Sequence, residues 1–369
     1  MDMVANGDVQ LDEPIETYLP NIKIPEFEGK KITLRHLATH HSGLPSLPDN
    51  FNPKNPMNPY EDYTVEDLYH FLSHYTLQRA PEERFEYSNI GMGLLGHILS
   101  EKAGVAYEEL VRRHICEKLE MKNTGIKLSH EMEKHFAKGF HQKRETPYWD
   151  IPTLAGAGAL RSNITDMTQF LAANMGLLNS PLCDLLNQCH TKQYLIGQIG
   201  DDIGLGWMIS RSSNANIIWH NGGTGGFRTF LGFNPKTQNG IVVLSNSTEG
   251  WPDAFALCLL DPETYRKPTV NQALAQDLDY LKRFEGSYES TINQQKIELI
   301  IKVINSELLL AIPGGELKLL PESFGLFNLK GMASQKLQFI FDDKGNIIKA
   351  QMVLSNGSIV AELLPETEK

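Results

Sequence analysis

The stretch WHNGGTGGFRTFLGFNP, Trp219–Pro235, places a glycine-rich turn between two runs of strand-forming residues. Aromatic and β-branched side chains favour strands, whereas consecutive glycines favour a turn. Further β-rich runs flank this stretch, and the runs are separated by Asn, Gly and Pro: Trp207–Ser210, Asn216–Trp219, Arg228–Phe233 and Ile241–Leu244. We therefore predict antiparallel strands joined by turns in this part of the chain.

Upstream of these strands the pattern is mostly helical. Met1, Val4 and Ala5 have the spacing of the inward positions of a helix that Gly7 would close. Each of the other predicted helices has its own capping residue or an apolar face. They are Leu34–Ala38 with Thr33 as its cap, a helix from Thr64 to Leu72 with Thr64 and Asp67 as its capping residues, Asn89–Ala103 with Gly104 after its end, Ala106–Leu119, a helix from Thr165 to Leu171 with Thr165 as its cap, and Pro252–Leu260. The first domain is therefore predicted to be α+β, an antiparallel sheet flanked by helices.

The pattern changes after the closing helix of this domain. We place the first domain at residues 1–262, a polar linker at 263–279 and a second domain at 280–369. The second domain shows short strand-like runs separated by Gly and Asn, namely Lys296–Ile304, Glu307–Ile312, Lys336–Phe341, Ile347–Leu354 and Ser358–Leu364. This spacing predicts a small all-β barrel or sandwich of roughly eight strands.

Composition excludes several functional classes. The 45 acidic and 34 basic residues give a net charge of −11, which argues against a nucleic-acid partner. No run approaches the roughly 18 to 20 apolar residues of a membrane span, so no membrane segment is predicted in this chain. The four cysteines, Cys116, Cys183, Cys189 and Cys258, are too few for a disulfide framework.

Three familiar patterns do not carry a function here. GMGLLG, Gly91–Gly96, fits a dinucleotide-binding pattern, but it lies inside a predicted helix without a preceding strand. His36, His40 and His41 have helical spacing, yet no H-E-x-x-H arrangement or third ligand accompanies them, so we interpret them as residues at a helix end. No G-x-S-x-G elbow occurs, which disfavours an α/β-hydrolase. We predict no metal and no cofactor.

Two motifs together suggest acyl transfer. YSN, Tyr87–Asn89, stands at a predicted helix start, and HNGGTGGF, His220–Phe227, joins two strands. Taken alone, the tyrosine would be a packing residue and the histidine would end a strand. Acyl transfer to a serine, however, needs a proton acceptor and donors for an oxyanion. A phenol and an imidazole relay protons, and glycines let a substrate approach backbone N–H groups.

The chain closely resembles the penicillin-recognising serine hydrolases of the class C β-lactamase, D-alanyl-D-alanine carboxypeptidase and family VIII esterase type. The resemblance runs from Val9 to about Leu260, through LDEPIETYLP, ITLRHLATHHSGLP, FEYSNIGMGLLGHIL, AGAGALRSNITDMTQF, GLGW, WHNGGTGGFRTFLGFNP and GIVVLSN. It implies the antiparallel sheet of the β-lactamase and transpeptidase fold. From Tyr280 to Lys369, FEGSYES and the strand pattern resemble the lipocalin-like barrel appended to many such hydrolases.

The resemblance also implies roles for site residues. The family uses S-x-x-K, Y-x-N and a K-T-G or H-x-G strand. Tyr87 matches the proton-relay residue, Asn89 matches the residue that binds the substrate amide, and His220 replaces the lysine of the third element. Gly222 and Gly223 match the substrate-binding and oxyanion positions.

The first of the three elements is absent from these 369 residues, because no serine has a lysine three positions later. By the family's architecture, we expect the nucleophilic serine roughly ten residues upstream of Met1, at the start of the helix that MDMVANG would end. The same resemblance implies that two strands and most of this helix would precede Met1. Ser88 and Ser42 lie near the motifs, but we expect Ser88 to point away from the cleft and Ser42 to belong to a structural turn.

Two hypotheses of different classes follow. The first is a serine hydrolase acting on esters, small D-amino-acid peptides or β-lactams, with its nucleophile segment missing from this chain. The second is a catalytically inactive ligand-binding or scaffold protein that kept the cleft. Because His220 replaces the lysine whose fixed positive charge would hold a substrate carboxylate, we favour esters or small peptides over clinical β-lactams. By the family default, the protein is periplasmic or secreted.

Overall fold

The computed structural model describes residues 1–196, 201–211, 216–248, 252–262, 270–292, 295–312, 315–330, 335–354 and 359–365. The chain divides into two compact units, the first of which ends at Ala256 and the second of which runs from Leu257 to the end of the chain. Each unit has its own sheet.

Helices fill much of the first unit. Within the described ranges they are α1 Asp2–Ala5, α2 Leu34–Ala38, α3 Val65–His74, α4 Asn89–Ala103, α5 Tyr107–Val111, α6 His130–His135, α7 Ile164–Asn174 and α8 Cys183–Cys189. A further helix, α9 Asp253–Leu260, begins in the first unit and ends in the second. Short 3-10 turns lie at Ile15–Thr17 and Ala155–Ala157. The core between these helices is apolar and includes Ile15, Leu37, Leu68, Ile90 and Leu94, all at most 1% exposed.

Capping residues explain where several helices begin. The hydroxyls of Thr33 and Thr64 accept the backbone N–H three residues later, so both cap their helices as predicted. Both form capping boxes, which we predicted for Thr64 with Asp67 and not for Thr33. The prediction that Thr165 caps α7 was wrong. Asn163 is the cap, because its side chain accepts the N–H of Asp166 at 2.9 Å. At the other end of α4, Gly104 adopts φ 66°, the left-handed conformation that favours glycine.

Two other helix predictions needed correction. The predicted helix Ala106–Leu119 is divided into α5, a π-helical segment at Arg112–Cys116 and a 3-10 turn at Glu117–Leu119. Along this stretch, in which the helix changes from α to π and then to 3-10, the side chains of Leu110, Cys116 and Leu119 are buried. In α1 the buried residue is Met3, whereas Ala5 is exposed, so the predicted inward positions Met1, Val4 and Ala5 are displaced.

The main sheet of the first unit is antiparallel, as predicted. Its strands within the described residues follow the order β3-β4-β5-β6-β7-β8, and they are β3 Tyr194–Ile196, β4 Asp201–Ile203, β5 Met208–Arg211, β6 Asn216–Thr224, β7 Phe227–Asn234 and β8 Asn239–Ser245. A small separate pair joins β1 Gly139–His141 and β2 Arg144–Thr146. The stretch Trp219–Pro235 thus supplies the central hairpin, in which Thr224 pairs with Phe227 and Gly226 takes φ 81° in the turn.

The second unit is a closed antiparallel barrel, which confirms the predicted all-β class. Its described strands pair in the order β10-β11-β12-β13-β14-β15-β16-β9, and they are β9 Gly286–Ile292, β10 Gln295–Ile304, β11 Glu307–Ile312, β12 Gly315–Ser323, β13 Leu326–Leu329, β14 Gln335–Phe341, β15 Ile347–Leu354 and β16 Ile359–Pro365. Two short helices precede it, α10 Gln272–Gln276 and α11 Leu278–Lys282. Residue 280 therefore lies in a helix, although we predicted only strands from there onward.

The barrel interior is filled by side chains. Phe284 follows α11 and packs its ring against Phe327 at 4.7 Å and Phe339 at 4.6 Å, measured between ring centroids. Leu310 and Leu337 are also completely buried. The likeness to lipocalins stays a prediction. No helix in the described ranges combines the length and hydropathy that a membrane span requires.

Candidate active site

Tyr87 lies directly before α4, and its side chain is 38% exposed. The next residue, Ser88, is completely buried and caps the helix, since its hydroxyl accepts the N–H of Gly91 at 2.9 Å and donates to the carbonyl of Pro45 at 2.6 Å. Ser42 is also buried, and its hydroxyl accepts the N–H of Leu44 at 3.3 Å. Both serines are therefore used in local structure, in agreement with their interpretation from the sequence.

His220 lies on β6 at the point where this strand loses one of its neighbours. Strand β5 pairs with Asn216–Trp219, whereas β7 pairs with β6 as far as Thr224. Among the described strands, residues 220–224 therefore have a ladder partner on one side and an unpaired backbone edge on the other. Such an edge offers N–H and C=O groups to a ligand.

The ring of His220 has one nitrogen committed. Its Nδ1 lies 2.6 Å from the carbonyl oxygen of Asn221. Because a carbonyl only accepts, Nδ1 must carry the proton, and Nε2 of the neutral ring is left as an acceptor.

The structure brings Tyr87 and His220 together. Their ring centroids are 6.2 Å apart, with an interplanar angle of 40°. Asn89 is the first residue of α4 and is partly exposed, and its backbone N–H donates to Ser46. Within the part of the chain that the structure describes, the Asn89 side chain makes no hydrogen bond to Tyr87 or His220. The tyrosine and the histidine are thus neighbours, and the asparagine lies two residues after Tyr87 in the chain without a hydrogen bond to either in the described structure.

Both members of this pair are uncharged at neutral pH, and partial burial of the rings favours the uncharged forms further. Burial raises the pKa of the Tyr87 phenol above its ordinary value of 10.0. Burial also lowers the pKa of His220 below 6.5, against smaller opposing effects of the bond to Asn221 and of the Asp253 carboxylate. The site therefore presents a phenol that donates and an imidazole that accepts.

Gly222 and Gly223 continue β6 beyond His220, where they pair with Thr229 and Arg228 of β7. A Cβ built at Gly222 would lie 2.6 Å from the hydroxyl oxygen of Thr229. Packing against the neighbouring strand thus explains why a glycine stands at position 222.

A cavity of about 1000 Å³ opens beside His220. One wall is the sheet, with Leu231 and Val242, and the opposite wall is helical, with Ile115 and Phe170. Arg161 also lines the cavity, but it donates to the carbonyls of Ile126 and Trp149 and lies 4.4 Å from the Tyr148 ring centroid. Its charge is therefore already engaged by the protein.

The patterns discounted above are structural here as well. Gly91–Gly96 lies inside α4, where Gly93 allows close packing against Leu154. His36 closes the capping box of α2 and contacts Glu82 at 3.0 Å. The described residues contain no group of three or more His, Cys, Asp or Glu side chains placed to hold a metal ion.

Sequence reasoning missed one residue at this site. His40, interpreted as a helix-end residue, stacks on Tyr87 with ring centroids 4.2 Å apart. The sequence carried no signal for this contact, because His40 and Tyr87 are far apart in the chain and belong to different elements.

Comparison with known proteins gives a consistent result. The sequence model of the family described as Beta-lactamase matches residues 1–258. The beta-lactamase of Escherichia coli K12 is 26% identical over 279 residues, which cover 66% of this chain and 71% of that protein. The D-alanyl-D-alanine-carboxypeptidase/endopeptidase AmpH of the same organism is 29% identical over 259 residues, which cover 66% of each chain. The match thus spans about two thirds of the length of these relatives.

A solved structure shows the same fold. The octameric penicillin-binding protein homologue from Pyrococcus abyssi aligns with a TM-score of 0.63 at 24% identity, covering 98% of this chain and 84% of that one. The family match, which takes in Tyr87, Asn89 and His220, covers well over half of the chain. The chain therefore belongs to the beta-lactamase family of serine hydrolases.

Proposed function

We propose that this chain carries the tyrosine, asparagine and histidine side of an acyl-serine hydrolase that acts on uncharged esters or small peptides. The observation that carries the proposal is the uncharged pair of Tyr87 and His220, 6.2 Å apart between ring centroids, in which His220 lines the cavity. The nucleophilic serine and its lysine are not among the 369 residues. We propose that a segment outside them supplies both.

We assign each residue its role by whether it can accept or donate a proton. When a serine attacks an acyl carbonyl, its proton must move to a base and later to the leaving group. Nε2 of His220 is available to accept, and the Tyr87 phenol holds a proton to donate. Asn89 is proposed to bind the substrate amide or carbonyl, and the N–H of Gly223 is proposed to stabilise the oxyanion.

Charge supports the choice of substrate class. A neutral His220 offers no fixed cation for a carboxylate, and the guanidinium of Arg161 is engaged by two carbonyls and a ring. The cavity wall is otherwise largely apolar. An ester or amide without a free carboxylate therefore fits this site better than a substrate that carries one.

The cavity also supports the proposed missing segment. The cavity of about 1000 Å³ is open and largely apolar, so an apolar segment would find room and hydrophobic contacts there. An apolar helix that carries S-x-x-K at its first turn would fill part of this space and place the serine beside His220.

A second function is favoured by one specific observation. Ser88 and Ser42, the serines next to the sequence motifs, are buried and hydrogen-bonded within local structure. Without an external serine, the cavity would bind an apolar ligand and catalyse nothing.

The test begins with the coding DNA upstream of Met1, read for an in-frame S-x-x-K. The longer protein should hydrolyse a p-nitrophenyl ester and react covalently with a fluorescent penicillin. Tyr87→Phe and His220→Gln should each lower kcat by about 10² to 10⁴, whereas Tyr75→Phe, directly after α3, serves as the matched control. Absence of the motif together with absence of turnover and labelling would favour the ligand-binding alternative.

A further inference from the structure

His40 contacts the segment that carries Tyr87 in three ways. Its backbone carbonyl accepts the N–H of Glu86 at 2.9 Å. Its ring nitrogen Nδ1 accepts the N–H of Ser88 at 3.0 Å. Its ring face stacks on Tyr87 itself, with centroids 4.2 Å apart and an interplanar angle of 31°. One residue thus binds three consecutive positions.

The backbone of His40 is unusual in a way that matches these contacts. It adopts φ 58°, in the left-handed region that residues with a Cβ rarely occupy. His40 lies just after the end of α2. In this conformation its carbonyl and its ring both contact the segment that carries Tyr87. Departures of this kind cluster where a structure must hold functional groups in place.

The adjacent histidine shows that the arrangement is particular to position 40. His41 is equally buried, but its Nδ1 contacts the carbonyl of Thr39 and its ring stacks on Tyr194 at 4.4 Å. His40 faces the Tyr87 segment, whereas His41 faces β3. The two neighbours are therefore a natural pair for comparison.

The chemistry of imidazole suits the two side-chain contacts. Burial lowers the pKa of His40 to about 3, so the ring is neutral at physiological pH. A neutral ring with Nδ1 as acceptor carries its proton on Nε2. An asparagine would supply the acceptor without the ring face, and a phenylalanine would supply the ring face without the acceptor.

We propose that His40 is the positioning residue of Tyr87, which fixes the phenol toward His220 through the ring stack and the bond to the Ser88 N–H. This proposal rests on the proposed function only in the role given to Tyr87. Its geometry is testable without any turnover.

The experiment uses the full 369-residue chain with three variants, His40→Phe, His40→Asn and the matched control His41→Phe. Two quantities are followed by NMR: the hydrogen-exchange rate of the Ser88 amide, and the titration of Tyr87 in protein labelled at tyrosine Cζ. The Tyr87 signal is assigned by its loss in Tyr87→Phe.

The two substitutions should separate the two contacts. In His40→Phe we expect the Ser88 amide to exchange about tenfold faster, because it loses an acceptor, while the pKa of Tyr87 stays raised. In His40→Asn we expect Ser88 exchange to stay near that of the unmodified chain, whereas the pKa of Tyr87 falls because water reaches the uncovered ring face. His41→Phe should change neither quantity.

A residue needed only for folding would change both quantities together in both variants, and that result would overturn the proposal. So would unchanged values in both. If His40→Phe does not fold, the asparagine variant alone still tests the stack. In a protein form that hydrolyses an ester, both variants should lower kcat, and neither should lower it further in a Tyr87→Phe background. Absence of turnover in every form would count against the proposed function and leave the NMR result standing.

Discussion

The barrel and the sheet of the first unit differ in how their strands are paired and in how the space against them is filled. In the barrel each described strand has two neighbours, and the interior is filled by residues such as Phe284, Leu310 and Phe327. In the first unit, the described part of the sheet ends at β3 and β8, and a cavity of about 1000 Å³ lies against its face. The barrel is therefore suited to stability, and the sheet leaves room for a ligand or a further segment.

The histidines and tryptophans are also distributed unequally between the two units. All 12 histidines and all four tryptophans precede residue 257, so the barrel unit has none of either. His220 lies beside an unpaired strand edge and a cavity, whereas His40 is buried against the Tyr87 segment. Functional groups thus concentrate in the unit whose core is not closed. Tryptophan fluorescence reports on that unit alone.

The largest expected effect is in the barrel core. Phe284→Ala should destabilise the second unit by about 3 to 5 kcal/mol, because the aromatic ring is completely buried among other rings and its removal leaves a cavity. Urea unfolding followed by far-UV circular dichroism measures it. Phe324→Ala is the control, since that ring is 54% exposed, and it should cost under about 1 kcal/mol. Equal costs would contradict a closed barrel core.

A matched leucine pair compares the two units directly. Leu310 is completely buried in the barrel, and Leu231 borders the cavity at 7% exposure. Leu310→Ala should cost about 1 kcal/mol or more beyond Leu231→Ala, because the second substitution enlarges a space that already exists. Circular dichroism follows the first variant and tryptophan fluorescence the second. A larger cost at Leu231 would indicate that the cavity is filled in solution.

Acid should weaken the first unit selectively. Burial lowers the pKa of His40 to about 3 and of His190 to about 4, both below the unfolded value near 6.5. Between about pH 4 and 6.5 the unfolded chain therefore binds more protons than the folded chain. The contribution of these histidines to the free energy of unfolding is fully present above pH 6.5 and is lost as the pH falls through this window. We expect a loss on the order of 3 kcal/mol by pH 4, read by urea unfolding with tryptophan fluorescence.

The barrel, which has no histidine, should show no histidine-linked loss in the same window. If the free energy of unfolding fell equally with pH in both units, the predicted difference between them would be contradicted.

The smallest expected effect concerns the hairpin. Gly222→Ala should cost about 1 to 2 kcal/mol, because the new methyl group would crowd the hydroxyl of Thr229. Thr229→Ala in the same chain should recover most of this loss, which a double-mutant cycle in urea would measure. Additive costs would mean that the two positions do not touch.

Local sequence signals predicted much of the fold. The caps at Thr33, Thr64 and Gly104 were correct because such signals act within three or four residues. Asn163 was missed in favour of Thr165, since both residue types cap helices and only the backbone decides between them. The break after α5 depends on tertiary packing, which local pattern does not contain.

The candidate site was predictable only in part. Tyr87 and His220 were proposed from two motifs and the family resemblance, and the structure places their rings side by side. The contact from His40 to Tyr87 could not be predicted, because it depends on the left-handed backbone at His40 and on long-range packing. The substrate-binding role of Gly222 stays a prediction, and the close approach of Thr229 on β7 gives a separate packing reason for a glycine there.

The central claim is that Tyr87 and His220 form an uncharged pair with Nε2 of the histidine free to accept a proton. NMR of the full chain labelled with ¹⁵N-histidine tests it most directly, with His220→Gln to assign the signal. At pH 7 we predict a neutral ring protonated at Nδ1, which titrates only below pH 6.5. A ring protonated at Nε2, or a charged imidazolium at pH 7, would contradict the account.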